Sequence, residues 1–442
     1  MGRKQIPPQY PLQILSKKLI NPAIPTPHNL RNLKISALDQ LYPTLYLPFI
    51  FFYPNFSEKE FQLAGKKLEK SLSKILTLFY PLAGSYIDDN LSIDCNDNGV
   101  EFIETLVNGK LSPLLGRDVD CRQLSHLIPH QFESLTSPLL AIQCNIFECG
   151  GLAIGLCISH KIVDGFSFTK FIDAWATSCR LGLHKVDYPS FDLPTLLPTR
   201  ETVPEIKPVQ RFNPGLKTAS RTFVFDGSAI SNLRKIAIEG GKESHKPSRV
   251  QLVTAIIWKA LMRVCQTKHG QLRPSIICHT MNMRGRTALP ISDDCCGNLF
   301  RPVIVKFTLE NKSNKVEFHH LVSLLGNAIR STVTDCAKPQ NGDDFSSMVS
   351  DAWKEAGEEL NKDTDKVDAY GFTSLCRMPI YPDFGWGMPA RVTHVQSVVE
   401  LIMLFDTRDG DGVEAWISLD ENDMNVFQQD PDIIAFTSQV DH

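Results

Sequence analysis

Between Asp187 and Gly215 the chain carries Pro189, Pro194, Pro198, Pro204, Pro208 and Pro214 and shows neither a helical nor a strand period. Proline fixes φ and removes a backbone donor, so this stretch reads as an extended crossover that can join neither a helix interior nor a central strand. It cuts the 442 residues into two parts of similar length. The expected division is a first domain over residues 1–186, a linker over 187–215 and a second domain over 216–442. Each part is long enough to bury its own core.

Both parts mix strand-like and helix-like patterns. Phe61, Ala64, Leu68, Leu72, Ile75 and Leu76 recur at three- and four-residue steps, which predicts a helix over Phe56 to Leu78, ending before Tyr80-Pro81. Leu91 to Asp94 and Val100 to Thr105 flank Asn96-Asp97-Asn98-Gly99, a hairpin signal. Leu139 to Phe147 and Leu152 to Ser159 read as strands around a Glu148-Cys149-Gly150-Gly151 turn. The spacing of Phe168, Phe171, Ile172, Trp175 and Ala176 predicts a helix over Phe166 to Arg180. In the second part a helix is expected over Arg249 to Val264. Strands are expected at Ser275 to Asn282, Val395 to Phe405 and Val413 to Leu419. Mixed elements in both halves predict an α/β or α+β architecture.

Several function classes are disfavoured. The formal net charge is -3 and no basic run is long enough to track a phosphate backbone, so nucleic acid is not an expected partner. The twelve cysteines are scattered without Cys-x-x-Cys pairs, and the polar, proline-bearing Met1 to Tyr10 does not resemble a secretory leader. Leu41 to Pro54, the most apolar stretch, is interrupted by Pro43 and Pro48 and too short to span a bilayer. A reduced, cytoplasmic enzyme with no membrane partner is the expectation. The adjacent His319-His320 lacks further residues at ligand spacing, so no metal site is expected.

Two segments carry chemistry. Ser159-His160-Lys161-Ile162-Val163-Asp164-Gly165 stands where a buried strand gives way to a helix. Gly165 is expected to allow a sharp change of direction there. A histidine, with a pKa of about 6.5, can accept a proton at working pH, and strand ends are open places on a rigid scaffold. A core histidine beside a helix-capping aspartate would give the same pattern. In Asp383-Phe384-Gly385-Trp386-Gly387, two glycines flank a tryptophan, a composition poor for helix and strand alike. It reads as a fixed loop or as a surface turn with a packed tryptophan.

Together, His-x-x-x-Asp-Gly near the middle and Asp-Phe-Gly-Trp-Gly near the end resemble the plant BAHD acyltransferases, which use coenzyme A thioesters. The likeness extends to Tyr80-Pro81-Leu82-Ala83-Gly84, Val253 to Lys259, and Asn282-Met283-Arg284-Gly285-Arg286 with Gly297-Asn298 following. Ile35 to Gln40, Cys95-Asn96-Asp97, Phe147 to Gly151 and Asp406 to Arg408 with Gly410 to Trp416 are similar to the branch acting on indole and related alkaloids.

The resemblance implies two domains, each a mixed β-sheet with flanking helices, and a solvent channel between them. It implies acetyl or another acyl group moving from acyl-coenzyme A, a cosubstrate rather than a resident cofactor, to a hydroxyl or amine of a small plant metabolite. An indole alkaloid is the expected acceptor, and a monomer the expected state. By motif, His160 is the general base and Asp383 the second active-site residue, though Asp383 and Trp386 are expected to shape the channel rather than touch reacting atoms. Asp164 is expected to be structural and to pair with Arg284. Thr373 is the candidate oxyanion donor, and Ser248, Ser374 and Arg377 are the candidate cosubstrate contacts, with Lys259 an alternative for the anionic end. No Gly-x-Ser-x-Gly elbow is present, so a ternary-complex reaction is expected. The sequence departs from the family at Leu375, where many members have tryptophan, at Met388 for a common lysine, and in a loop one residue shorter before Asp383. These departures leave room for a different donor and acceptor, or for a weakened homologue that binds without turnover. Peptide-condensing domains share the histidine motif but lack the Asp-Phe-Gly-Trp-Gly segment.

Overall fold

The architecture comes from a computed structural model that describes residues 10–54, 56, 58–116, 119, 124–129, 138–202, 218–241, 245–309, 316–361, 366–395 and 401–438, with main chain only for 58–62. The strands of the first half are β1 (Leu12–Ile20), β2 (Asn32–Lys34), β3 (Tyr46–Tyr53), β4 (Ser85–Ile87), β5 (Ser92–Asp94), β6 (Val100–Val107), β7 (Leu140–Phe147) and β8 (Leu152–Ser159). Those of the second are β9 (Thr218–Phe225), β10 (Ser275–Asn282), β11 (Phe300–Phe307), β12 (Asp368–Ser374), β13 (Arg391–His394), β14 (Leu401–Asp406) and β15 (Val413–Asp420). The helices that matter for the site are α1 (Ala37–Gln40), α2 (Glu58–Ile75), α3 (Gly165–Leu181), α4 (Leu193–Leu196), α5 (Gly227–Gly240) and α6 (Arg249–His269).

The chain forms a mixed α/β fold of two domains. One compact unit takes Met1–Glu201, Asp294–Asn298 and Pro379–Gln396; the other takes Thr202–Asp293, Leu299–Met378 and Ser397–His442. In the first unit a six-stranded sheet runs β1-β6-β7-β8-β3-β13, beside a small β2-β5-β4 sheet. In the second a six-stranded sheet runs β11-β10-β12-β14-β15-β9. Both large sheets are mixed: β6 and β7 are parallel in one, and β12 is parallel to both β10 and β14 in the other.

The division by a single cut near the crossover therefore needs correction. Asp383 to Gly387, expected in the C-terminal domain, lies in the first unit because β13 pairs antiparallel with β3 and extends the first sheet. Side chains fasten the same segment: Tyr53 donates its hydroxyl to the carbonyl of Pro382 at 2.8 Å, and the buried Phe384 ring meets Trp175 of α3 edge-on at 4.8 Å. Of the proline-rich crossover, Pro204, Pro208 and Pro214 lie outside the described residues. The described part is not wholly extended, since it holds α4 and Ser190 bridges Cys295.

The expected hairpin also does not form. β5 pairs with β2 and β4, whereas β6 pairs with β1 and β7. The intervening turn instead binds the N-terminal segment. Asp97, at φ 60°, accepts from the Thr26 amide at 2.9 Å and the Thr26 hydroxyl at 2.6 Å. The flanking strands are left to different sheets. The Leu139 to Phe147 and Leu152 to Ser159 strands appear as β7 and β8, which pair antiparallel.

β3 is a strand that the proline at its third position conceals. Pro48 has no N–H to give to a ladder, but β13 pairs only with Phe49 to Phe52 and stops short of it. Phe49, Ile50, Phe51 and Phe52 are fully buried, and Ile50 and Phe52 pack in one core cluster with Val107, Leu127 and Phe147. Among the described residues every cysteine is a free thiol, and no helix is long and apolar enough to cross a membrane.

Candidate active site

β8 reads Leu-Ala-Ile-Gly-Leu-Cys-Ile-Ser and is buried along its whole length. Flanked by β7 and β3, it delivers His160 at its exit, where the His160 amide donates to the carbonyl of Leu45 at 2.7 Å. The chain then turns into α3, with Asp164 as N-cap accepting from the Ser167 amide at 2.8 Å. Gly165 is the first residue of that helix and has no positive φ, so the change of direction does not depend on it.

Around His160 the first unit gathers residues from distant places in the sequence. Nδ1 of the ring lies 3.1 Å from Oδ1 of Asn298, and one face stacks on Tyr42 with centroids 5.3 Å apart and planes inclined by 6°. Asn298 is fully buried. Its amide N–H donates to Oδ1 of Asp39 at 2.8 Å, and its side-chain Nδ2 donates to the same oxygen at 2.9 Å. Burial lowers the His160 pKa; a hydrogen bond to its own main chain, the charge of Asp164, Asn298 and Asp39 act against that. The lowering favours the neutral ring, the form that can accept a proton.

Asp164 is buried and caps a helix. Its Oδ1 caps α3 and also accepts from the Ser167 hydroxyl at 2.7 Å. The same hydroxyl accepts from the amide of Gly297 at 3.0 Å. The aspartate of the motif thus reaches the Gly297-Asn298 loop through Ser167. Sequence reasoning identified Gly297-Asn298 only as a matching dipeptide and missed Asp39, Ser167 and Tyr42. Lys161 was missed too: it is buried, donates to the Tyr42 carbonyl at 2.7 Å and lies 5.7 Å from the Tyr86 ring centroid, and burial lowers its pKa.

Asp383 does not stand in this group. Its Oδ1 accepts from the amides of Gly385 at 2.8 Å and Gly387 at 2.9 Å, while Oδ2 takes Arg180 at 2.9 Å. Burial acts to raise its pKa, but those two amides and Arg180 prevail and hold it below the usual carboxylate value. Gly385 and Gly387 have φ of 106° and 98°, where an L side chain would be strained, which explains both glycines. Trp386 packs edge-on against Tyr53 and Phe56 at 6.1 and 5.3 Å. In its own contacts Asp383 is a turn-building carboxylate.

The second unit holds the other predicted residues. Thr373, on β12, accepts a hydrogen bond from the Thr280 hydroxyl on β10 at 2.8 Å. Arg284 is buried, and its guanidinium and amide both reach Oδ1 of Asn282 at 3.1 Å. Ser248 caps α6 in a reciprocal box with Gln251. Asp406 binds one of the cosubstrate candidates: Oδ2 accepts from the Arg377 amide at 2.6 Å, and Oδ1 takes Arg249, next to Ser248, at 2.9 Å. Ser374 folds back to accept from the Cys376 amide at 3.2 Å. Lys259, by contrast, is paired with Asp432 at 3.0 Å. Leu375 is buried, so the position fills with aliphatic packing and offers no indole N–H.

A family model described as "Transferase family" matches residues 10–434. Acetyl-CoA-benzylalcohol acetyltransferase of Clarkia breweri is 38% identical over 439 residues, covering 96% of this chain and 99% of the relative. Stemmadenine O-acetyltransferase of Catharanthus roseus is 34% identical over 432 residues, covering 95% and 96%. The crystal structure of vinorine synthase superposes with a TM-score of 0.79 at 32% identity, covering 97% of this chain and 99% of that one.

Proposed function

The chain belongs to the BAHD family of acyl-CoA-dependent acyltransferases, and on that premise we propose that His160 is its general base and that it acetylates a hydroxyl group. In this reading Nε2 of His160 takes the proton of the acceptor hydroxyl as its oxygen attacks the thioester carbonyl. The tetrahedral intermediate collapses, the C–S bond breaks, and coenzyme A leaves as a thiolate that recovers the proton from His160. Positioned base catalysis of this kind supplies roughly 10²–10⁴-fold, and holding donor and acceptor together supplies much of the rest. No protein acyl intermediate forms.

The observation that carries the reading is the imidazole at the exit of β8, with its Nδ1 side occupied by Asn298. Thr373 is the oxyanion donor: Thr280 satisfies its acceptor side, which leaves the Thr373 proton to be given to a developing charge. Ser248, Ser374 and Arg377 receive the coenzyme A portion; in support, Asp406 links the Arg377 amide to Arg249, the residue after Ser248 at the N-terminus of a 21-residue helix. Acetyl is the donor group named for the benzylalcohol and stemmadenine relatives, and a hydroxyl is the acceptor in both names. An indole alkaloid is the acceptor class favoured by the sequence segments, with a benzylic alcohol next.

The purified protein, supplied with acetyl- or malonyl-coenzyme A and a panel of hydroxylated alkaloids and benzylic alcohols, tests this by thiol release and product mass. An O-acetylated product that disappears in His160→Ala is expected. Unchanged turnover in that variant, or a protein-bound acyl group that turns over at the catalytic rate, would sink it.

A further inference from the structure

Which ring nitrogen of His160 carries the proton decides whether the base faces Asn298 or the substrate, since a neutral imidazole accepts at one nitrogen only. The side-chain Nδ2 of Asn298 lies 2.9 Å from Oδ1 of Asp39, 2.9 Å from the main-chain oxygen of His160 and 3.2 Å from that of Lys161. All three are acceptors. Turned by half a revolution, the amide would set its own oxygen against a carboxylate and two carbonyls, so its amino end is held where it is. The opposite end, Oδ1, then faces Nδ1 of His160 at 3.1 Å. An amide oxygen cannot donate, so the hydrogen of that contact belongs to Nδ1, and the lone pair of the neutral ring sits on Nε2.

The one charged acceptor of the three is a carboxylate 259 residues away in the sequence from Asn298. Asp39 is 4% exposed and sits on α1. Its Oδ2 accepts from the amide of Ser36 at 2.9 Å and the hydroxyl of Ser36 at 2.6 Å. Its Oδ1 accepts twice from Asn298, through the main-chain amide at 2.8 Å and through Nδ2. Burial raises the pKa of this carboxyl above its ordinary value, and the four donors that converge on it act in the opposite sense, toward the charged form. A carboxylate placed there discriminates strongly between the two ends of the Asn298 amide. Tyr42, stacked on the ring of His160, restricts its tilt and lets the hydrogen bond set the rotation.

We propose that Asp39 is a positioning residue for His160: acting through the amide of Asn298, it holds the ring in the Nδ1–H tautomer and so makes Nε2 the atom that accepts the substrate proton. The inference rests on the reading of His160 as base for its catalytic consequence, but the tautomer is a property of the free protein and can be read without any substrate. A carboxylate that orients an imidazole directly is a familiar arrangement; here a neutral amide stands between the two. The replacement Asp39→Asn keeps the size and one acceptor but can offer an amino group to Asn298. With the charged acceptor gone and an amino group facing Nδ2, the Asn298 amide turns against the remaining hold of the His160 and Lys161 carbonyls, presents its own amino end to Nδ1 and moves the ring proton to Nε2.

The test uses full-length protein carrying nitrogen-labelled histidine, with the His160 signals assigned by their loss in His160→Gln. Long-range proton–nitrogen correlation separates the two tautomers by the shift of each ring nitrogen. The wild type is expected to show Nδ1–H. Folded Asp39→Asn is expected to show a shift toward Nε2–H, with kcat falling by roughly tenfold or more and KM little changed. A wild-type ring protonated at Nε2 overturns the proposal whether or not any variant folds. So does a folded Asp39→Asn whose tautomer is unchanged, even if it is slower. If the tautomer behaves as stated but His160→Ala retains full activity, the reading of His160 as base fails and the positioning by Asp39 stands.

Discussion

Two histidines, a half-buried one just past the end of a strand of the first large sheet and a buried one within a strand of the second, show how differently the same residue type can be used. His160 follows the last residue of β8, and its Nδ1 faces the side chain of Asn298. His279 is the fifth residue of the eight-residue β10; its Nδ1 lies 2.9 Å from the neighbouring Thr280 carbonyl, its ring stacks on Phe372 at 6.1 Å, and its Nε2 has no hydrogen-bond partner among the described residues. Burial lowers the pKa of both, so a depressed pKa does not distinguish a working histidine from a packed one. Position on the strand does. A strand interior closes a side chain in on both sides, whereas a strand exit allows side chains from other parts of the chain to reach it.

The largest effect that would break this comparison is on rate. His160→Gln is expected to lower kcat by roughly 10²–10⁴-fold, while His279→Gln leaves it near the wild-type value; comparable losses in both would mean that the two sites are not functionally distinct. Next in size is Asp164→Ala, which removes the cap of α3 and the acceptor of the Ser167 hydroxyl. It is expected to cost about 1–3 kcal/mol in urea unfolding, and wild-type stability with lost turnover would make Asp164 a participant in the chemistry. Both histidines also bear on stability through pH. Each has a folded pKa below its unfolded value, so the stability it contributes is complete above about pH 6.5 and lost as pH falls toward the folded value. His279→Gln should flatten that loss without moving the acid limb of kcat/KM, which His160 sets below the range of an ordinary histidine; an acid limb that moves with His279 would contradict the division of roles.

Asp383→Asn sharpens the comparison from the other side and should have the smallest effect. An amide oxygen can still accept from Gly385 and Gly387, and only the half-exposed pair with Arg180 is lost, a change of less than about 1 kcal/mol. Retained turnover is expected, and a fall matching that of His160→Gln would place Asp383 at the reacting atoms.

Much of this was legible in the sequence because it rests on local pattern. The apolar run of β8, the periodic face of α3, the glycine turn between β7 and β8 and the start of α6 follow from residues a few positions apart, and β10 was read to its ends, whereas α6 continues to His269, past the expected Val264. The hairpin around Asn98-Gly99 failed because Asp97 serves Thr26 rather than its own strands. β3 was hidden by Pro48, whose tolerance depends on where a strand from the far end of the chain stops pairing.

Sequence alone determined that a histidine would stand at the end of a buried strand with an aspartate at the start of the following helix, since covalent neighbours and side-chain period settle both. Only the tertiary structure decided what touches that ring. Asn298 comes from 138 positions away and Asp39 reaches it from the opposite end of the first unit's sequence. Directional hydrogen bonds between such distant groups have no period to read; they exist only once packing has brought donor and acceptor within about 3 Å of each other.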